Sequence, residues 1–226
     1  MDERQRFDGL VEALRVAVPA MRQAEIPFLL GGSMAVWAHG GPPPVNDLDL
    51  MVREADAERT LEALAGAGMR TEHPPEEWLV KAWHGDVLVD VIHTPRGLPI
   101  TDEVLARGHV RHLCALRVPV MSLEDVLATK LLALDEHRLD YAGLLQIARA
   151  VREQVDWQAL RERTEAWPYA AAFLTLVERL EIARVFAPTS EPHPPGAGTW
   201  PAASRGTSRS WQADSPIGST GAAARS

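Results

Sequence analysis

The stretch from Ile26 to Val52 constrains the fold of this chain most strongly. It reads IPFLLGGSMAVWAHGGPPPVNDLDLMV, and it combines two apolar runs with a glycine pair, a helix-compatible segment and a proline-rich loop. The first apolar run, residues 26–30, predicts a short buried strand that stops abruptly at Gly31-Gly32. We therefore expect a strand that turns directly into a helix, followed by a second strand that carries Asp47 and Asp49.

The turn between the first strand and the helix has the composition of an anion-binding site. Gly31 and Gly32 allow a tight turn and a close approach of the backbone to a ligand. Ser33 stands where a helix N-cap residue is expected, so its hydroxyl and the free amides of the first helical turn could face a phosphate. The same residues would also serve as an economical turn without a ligand, and the turn by itself does not separate the two interpretations.

The aspartate pair on the second strand favours the ligand-binding interpretation. Asp47 and Asp49 are two residues apart, so an extended chain projects both from one face while Leu48 and Leu50 project from the other. Two adjacent carboxylates repel each other unless a cation lies between them. Mg²⁺ suits such a pair, because it takes one or two carboxylates and completes its coordination with water and substrate phosphate oxygens.

The two motifs GGSMAVWAHG and DLDLMV together resemble the DNA polymerase beta-like nucleotidyltransferase superfamily. Within it, the chain looks like the small bacterial branch that includes toxin-type members and antibiotic adenylyltransferases. The resemblance spans about residues 26–150 and implies a third carboxylate on a later strand. It departs from the pattern just before Asp47, where relatives often have Arg and Thr and this chain has Pro43, Pro44, Val45 and Asn46.

Asp90 is the best match to the third carboxylate. It lies in the apolar segment DVLVDVI, on the face opposite to Val87, Val89 and Val91. An acid in so apolar a strand needs a compensating partner, although a strand-end aspartate with a local hydrogen bond is the structural alternative. The preceding His84-Gly85-Asp86 predicts a hairpin turn.

The resemblance implies a metal-dependent transfer of an NMP from an NTP to an acceptor hydroxyl, with release of pyrophosphate. Asp47 and Asp49 would hold two Mg²⁺ ions, with Mn²⁺ as the alternative metal, and Asp90 would hold the ion nearest the acceptor and help to remove its proton. Gly31, Gly32 and Ser33 would bind the β- and γ-phosphates. The ions offset the negative charge that shields the α-phosphorus from attack.

Lys130 is a further candidate for nucleotide binding. Ser122 predicts the start of a helix whose buried stripe contains Val126, Leu127 and Leu131, and Lys130 falls inside this stripe. A lysine there can simply extend its ammonium group to water. The segment PVMSLEDVLATKLLAL also resembles the helix that supplies a phosphate-binding lysine in bacterial nucleotidyltransferases.

The remaining pattern predicts an α/β (α+β) fold with a mixed, largely antiparallel sheet flanked by helices and a helical C-terminal region. We expect a catalytic core over residues 1–120, a helical region over 121–187 and a disordered tail over 188–226, whose Pro, Gly, Ser and Ala content cannot form a core. The predicted elements are helices over 2–23, 55–66, 102–106, 122–134, 139–151, 156–166 and 168–187, a hairpin over 78–92 and two short edge strands within 107–120. Asp140 would lie at the start of the helix over 139–151, either as a functional acid or as a favourable charge at the helix dipole.

Composition excludes several classes of protein. The net charge of −8 argues against a protein that grips long duplex nucleic acid over a broad basic face. Cys114 is the only cysteine, so neither an intrachain disulfide nor a cysteine-based zinc cluster can form, and a cytoplasmic protein is expected. No apolar run reaches the length of a membrane span, so no membrane association is expected.

The acceptor is not readable from the sequence. A tRNA 3′ end, a protein side chain and a small molecule such as an aminoglycoside all fit the chemistry. The toxin-type resemblance also implies an antitoxin as a partner. The rival hypothesis is a catalytically silent nucleotidyltransferase-like module that binds a nucleotide or serves as a component of a toxin–antitoxin pair.

Overall fold

A computed structural model of the chain describes residues 3–44 and 46–186. Within these residues the predicted α/β fold is confirmed, with a mixed sheet of seven strands, helices around it and a helical C-terminal region. The strands are β1 Leu29–Leu30, β2 Leu48–Met51, β3 Arg70–Glu72, β4 Leu79–His84, β5 Val87–Ile92, β6 His109–Leu113 and β7 Leu116–Val120. The helices are α1 Glu3–Gln23, α2 Gly32–Ala38, α3 Ala57–Gly66, α4 Asp102–Ala106, α5 Leu123–Leu132, α6 Tyr141–Val151, α7 Trp157–Thr164 and α8 Pro168–Arg179. The predicted tail over 188–226 lies outside the described residues.

The strands follow the spatial order β3-β4-β5-β2-β1-β7-β6. Two of the pairings, β2 with β5 and β1 with β7, are parallel, and the other four are antiparallel. The sheet is therefore mixed and largely antiparallel, as the sequence predicts. The parallel pairing of β2 with β5 brings the predicted metal-binding strands side by side.

The first strand is shorter than the sequence predicts, because it begins at Leu29 rather than at residue 26. The Ile26 amide donates to the Met21 carbonyl at the end of α1, and Glu25 adopts a left-handed φ of 53° in this connection. Pro27 has no amide hydrogen to give to a strand partner. Ile26 and Phe28 are nevertheless buried, so their apolar character serves the core and not the sheet.

The hairpin of β4 and β5 forms as predicted. His84 pairs with Val87 across the two-residue turn Gly85-Asp86, where Gly85 has a φ of 59° that suits glycine. This turn fixes the register of the whole hairpin, because an antiparallel pairing is set once its first pair is set. One consequence is that Lys81 lies directly opposite Asp90.

The prediction of two edge strands within 107–120 is half wrong. β6 and β7 form an antiparallel pair, but only β6 lies at the edge of the sheet. β7 also pairs with β1, and its Val118 and Val120 are fully buried. The five-residue strand β6 carries exposed polar side chains, which is typical of a true edge.

Helices cover both faces of the sheet. α1 packs on β2 and β5, and α3 packs on β4. Gly9 of α1 lies against Val87 of β5, so α1 covers the face of the sheet to which the Val87 side chain points. α2 packs against β2 and against α5, which in turn packs against α7 and α8. The C-terminal helices thus join the sheet through α5, which carries Lys130.

Asp125 in the first turn of α5 is the buried polar centre that connects these helices. It is 2 % exposed and accepts hydrogen bonds from Arg107 at 2.9 Å, Arg163 at 2.6 Å and the Ser122 hydroxyl at 2.8 Å. Burial raises its pKa, but the hydrogen bonds from Arg107, Ser122 and Arg163 outweigh burial and lower the pKa below its ordinary value. Ser122 caps α5 as predicted, accepting from the Asp125 amide.

Among the residues that the structure describes, no helix is both long enough and apolar enough to span a membrane.

Candidate active site

Three carboxylates meet on one face of the sheet. Asp49 of β2 pairs in register with Asp90 of β5, and Asp47 lies two residues before Asp49 on the same side of the chain. Each residue offers a carboxylate oxygen that lies within 4.8 Å of those of the other two. The parallel pairing of β2 with β5 produces this cluster, since it places residues of equal depth next to each other on one face.

The Gly31-Gly32 turn lies directly beneath this cluster. The Gly31 amide donates to the Asp49 carbonyl at 2.9 Å, and Gly32 adopts a φ of 52°. A Cβ atom at position 32 would lie 1.6 Å from Asp49 Oδ2, so no other residue fits there without moving the carboxylate. The second glycine is therefore required by the site itself as well as by the turn.

The prediction that Ser33 caps α2 is wrong. The helix begins at Gly32 with Gly31 as its N-cap residue, because the left-handed φ of Gly32 already turns the chain into the helix. Ser33 therefore falls in the first helical turn. Its hydroxyl oxygen is buried without a hydrogen-bond partner among the described residues, as is Asp90 Oδ1.

The carboxylates are electrostatically frustrated. Burial, followed by repulsion from Asp47 and Asp90, raises the pKa of Asp49 to about 7. Burial and the charge of Asp47 raise the pKa of Asp90 to about 6. Burial also raises the pKa of Asp47. Each acid therefore resists ionisation until positive charge is brought to the cluster.

Two lysines supply part of that charge. The Lys130 ammonium group of α5 acts on Asp47 and Asp49 and opposes the rise in their pKa values. Lys81 does the same for Asp90, its partner in the β4–β5 hairpin. Sequence reasoning identified Lys130 and missed Lys81. The signal was available, since the two-residue hairpin turn fixes the register that places Lys81 opposite Asp90.

The residues present fit a hard divalent cation. Three carboxylates supply oxygen ligands of the kind that Mg²⁺ and Mn²⁺ prefer, and Asp90 Oδ1 is a buried acceptor without a partner in the described chain. An orphaned buried acceptor is costly unless a ligand completes it. Asp140, by contrast, is the N-cap residue of α6 and accepts from the Gly143 amide at 2.9 Å.

Comparison with protein families gives the decisive observation. Residues 21–181 match a family described as an uncharacterised nucleotidyltransferase. The chain belongs to this nucleotidyltransferase family. The matched range contains all three carboxylates, the glycine turn and Lys130, so the resemblance seen in the motifs extends through the helical region.

Solved structures agree with the fold of this nucleotidyltransferase. The crystal structure of ANT(2″)-Ia in complex with adenylyl-2″-tobramycin is 16% identical, with a TM-score of 0.52, and the match covers 74% of this chain and 97% of that one. The solution structure of the antibiotic-resistance factor ANT(2″)-Ia is 19% identical, with a TM-score of 0.53 and coverages of 80% and 97%. At these identities the likeness concerns the fold alone. No curated protein matches the chain.

Proposed function

We propose that this nucleotidyltransferase is a Mg²⁺-dependent enzyme that moves an NMP from an NTP to an acceptor hydroxyl and releases pyrophosphate. The observation that carries the proposal is the cluster of Asp47, Asp49 and Asp90, whose oxygens converge within 4.8 Å beside the glycine turn. Burial raises the pKa of all three carboxyl groups, and repulsion from neighbouring acids raises those of Asp49 and Asp90 further. The ionised cluster therefore destabilises a protein that has no cation to bind.

In the proposed reaction Asp47, Asp49 and Asp90 would hold the divalent metal. When bound, the metal would offset the charge of the triphosphate and make the α-phosphorus accessible to a hydroxyl oxygen. Because the Gly31 amide already donates to the Asp49 carbonyl, Gly31 would contribute only a close approach of the backbone, Gly32 would bring its amide close to the β- and γ-phosphates, and the unpartnered Ser33 hydroxyl would donate to one of them. Lys130 would pair with the triphosphate from the side of α5.

Asp90 has the properties of a group that receives a proton. Its Oδ1 is a buried acceptor without a partner in the described residues, so it has a free lone pair for the proton of a hydroxyl group. A general base must lie within hydrogen-bond reach of the proton that it removes. We therefore assign the proton of the acceptor hydroxyl to Asp90, while Asp47 and Asp49 remain on the nucleotide side with Lys130.

The test is release of pyrophosphate from each of the four NTPs, with and without total tRNA, in Mg²⁺ and in excess EDTA. We expect release that requires Mg²⁺ and that is lost in Asp49→Asn but kept in Asp86→Asn, which makes the same change on the exposed hairpin turn. Binding of a non-hydrolysable NTP analogue is measured in parallel. Binding without any release would favour the catalytically silent module, and absence of both would refute the proposal.

The predicted antitoxin partner and the cytoplasmic location stay predictions. The acceptor is open among an RNA 3′ end, a protein side chain and a small molecule, and the chemistry of the neighbouring cavities bears on this choice.

A further inference from the structure

Two cavities adjoin each other beside α5. The first has a volume of about 640 Å³ and is lined by residues that include Lys130, Ala133, Arg138 and Ile147. The second, which we call the Trp78 cavity, has a volume of about 590 Å³ and is lined by residues that include Glu76, Trp78, Thr94, Arg96, Thr129 and Arg138. Arg96, Ala133 and Arg138 line both, so the cavities share one wall.

The two cavities are related to the carboxylates through different residues. Lys130 connects the first cavity to Asp47 and Asp49, on which its charge acts. Trp78 lies next to the last residues of β5, because its carbonyl accepts from the His93 and Thr94 amides at 3.1 and 3.2 Å. Two residues of the Trp78 cavity, Trp78 and Thr94, therefore lie at the end of β5, the strand that carries Asp90. A transfer between two substrates needs two such sites around one reactive centre.

The Trp78 cavity presents groups that are free to bind a ligand. Trp78 is 41 % exposed, although tryptophan is highly buried on average, and its indole makes no hydrogen bond or ring contact with any residue in the described ranges. The Arg138 guanidinium likewise has no ion-pair or hydrogen-bond partner within residues 3–44 and 46–186. Arg96 is held in place by the Ala133 carbonyl at 2.8 Å and by Asp135 at 3.7 Å.

The chemistry of these groups indicates the class of acceptor. An exposed indole offers a flat face on which a nucleobase stacks, and a free guanidinium binds a phosphate by paired hydrogen bonds. Arg96 and Arg138 outnumber Glu76 among the charged side chains of the lining. A polycation such as tobramycin, which the ANT(2″)-Ia crystal structure contains in adenylylated form, would meet repulsion here.

Resting on the proposed function, we propose that the acceptor is a nucleotide unit, free or at the 3′ end of an RNA strand, bound in the Trp78 cavity. Its base stacks on Trp78, its phosphate pairs with Arg138 and its ribose hydroxyl faces Asp90. The hydroxyl oxygen forms a bond to the α-phosphorus of the NTP, the bond between that phosphorus and the bridging oxygen breaks, and pyrophosphate leaves. The hydroxyl proton passes to Asp90.

Binding of three probes to the full chain tests this inference, in Mg²⁺ with α,β-methylene ATP present. The probes are a 5′-fluorescein-labelled single-stranded RNA 12-mer with a free 3′ hydroxyl, AMP, and tobramycin. We expect the RNA or AMP to bind and Trp78→Ala to raise its Kd on the order of 5- to 150-fold, the loss that removal of one base–aromatic stack produces. Trp78→Phe keeps a flat ring and should retain most of the affinity.

Charge provides a second, independent readout. Arg138→Gln should weaken binding and reduce its dependence on salt, because one phosphate contact is lost. Arg149→Gln is the matched control, since Arg149 is an exposed residue of α6 that lines neither cavity. Binding of the RNA alone identifies a strand end as the source of the nucleotide unit, and binding of AMP identifies a free nucleotide.

The inference is overturned if tobramycin binds and both ribonucleotide probes fail, or if Trp78→Ala and Arg138→Gln bind like the wild type. Failure of the proposed function gives a different result, namely no Mg²⁺-dependent release of pyrophosphate from any NTP, whether or not α,β-methylene ATP binds. Binding of the analogue together with failure of the RNA and AMP refutes the acceptor assignment alone.

Discussion

Replacing Asp49 with asparagine is expected to stabilise the metal-free protein at neutral and alkaline pH. Asp49 has a pKa of about 7 in the folded chain, against an ordinary value of 3.8, because it is partly buried and lies beside Asp47 and Asp90. The difference of about 3 units corresponds to about 4 kcal/mol of preference for the protonated form. Asparagine has nearly the same shape and carries no charge, so the variant avoids this cost.

The sign of the effect depends on pH. A carboxyl group whose pKa is raised on folding contributes stability that is fully present below the unfolded value of 3.8 and is lost as pH rises through about 7. The free energy of unfolding of Asp49→Asn should therefore exceed that of the wild type by up to about 4 kcal/mol at pH 8. At pH 4 the difference should fall below about 1 kcal/mol.

Urea denaturation at pH 4 and pH 8 in EDTA measures this difference, and Asp86→Asn controls for the loss of one exposed carboxylate. Added Mg²⁺ should raise the unfolding free energy of the wild type and have less effect on Asp49→Asn, since ligand binding stabilises only a protein with an intact site. A variant that is less stable than the wild type at pH 8 without metal would refute the reasoning. It would mean that the Asp49 carboxylate makes stabilising hydrogen bonds.

Three further predictions follow from the same geometry. Lys130→Ala should weaken NTP binding by about one to two orders of magnitude, because a charged hydrogen bond to phosphate contributes about 1.5 to 3 kcal/mol, and Lys130→Arg should restore part of the affinity. Titration with an NTP analogue measures both variants. Wild-type affinity in the alanine variant would mean that the ammonium group only reaches solvent. Gly32→Ala should abolish transfer, since its Cβ would lie 1.6 Å from Asp49 Oδ2, whereas Gly68→Ala has a similarly positive φ but nothing within 4 Å and should keep activity in the pyrophosphate assay. Asp125→Asn should lower the free energy of unfolding at pH 7 by about 1 to 3 kcal/mol in urea titrations, since it weakens charged hydrogen bonds at a buried acceptor while the guanidinium groups of Arg107 and Arg163, 46% and 40% exposed, stay in contact with water. Because the pKa of Asp125 is lowered on folding, this contribution is present above 3.8 and should disappear as pH falls through the lower folded value; a loss that persists there would point to packing instead of charge.

The sequence by itself determined the parts of this protein that depend on short-range pattern. The alternation around Asp49 and Asp90 predicts their faces, the turn Gly85-Asp86 predicts a hairpin, and Ser122 predicts the start of α5, and each is confirmed. These features follow from backbone geometry within a few residues, so no tertiary contact is needed to specify them. The glycine turn was located correctly, but the N-cap residue of α2 was predicted two positions too late, at Ser33 instead of Gly31. Serine is a common capping residue, but glycine can cap a helix as well.

The tertiary structure decided which residues meet. The pairing of β2 with β5 brings Asp49 next to Asp90 across about 40 positions of sequence, and no local pattern specifies that neighbour. The same holds for Arg107 and Arg163 on Asp125, and for the cavity that joins Trp78 to Arg138. Such contacts depend on the order of the strands and on the packing of the helices. Sequences with the same local pattern could adopt a different strand order or helix packing. Motif spacing therefore predicted which carboxylates belong to the cluster, while the cavity from which we infer the acceptor is formed only in the folded chain.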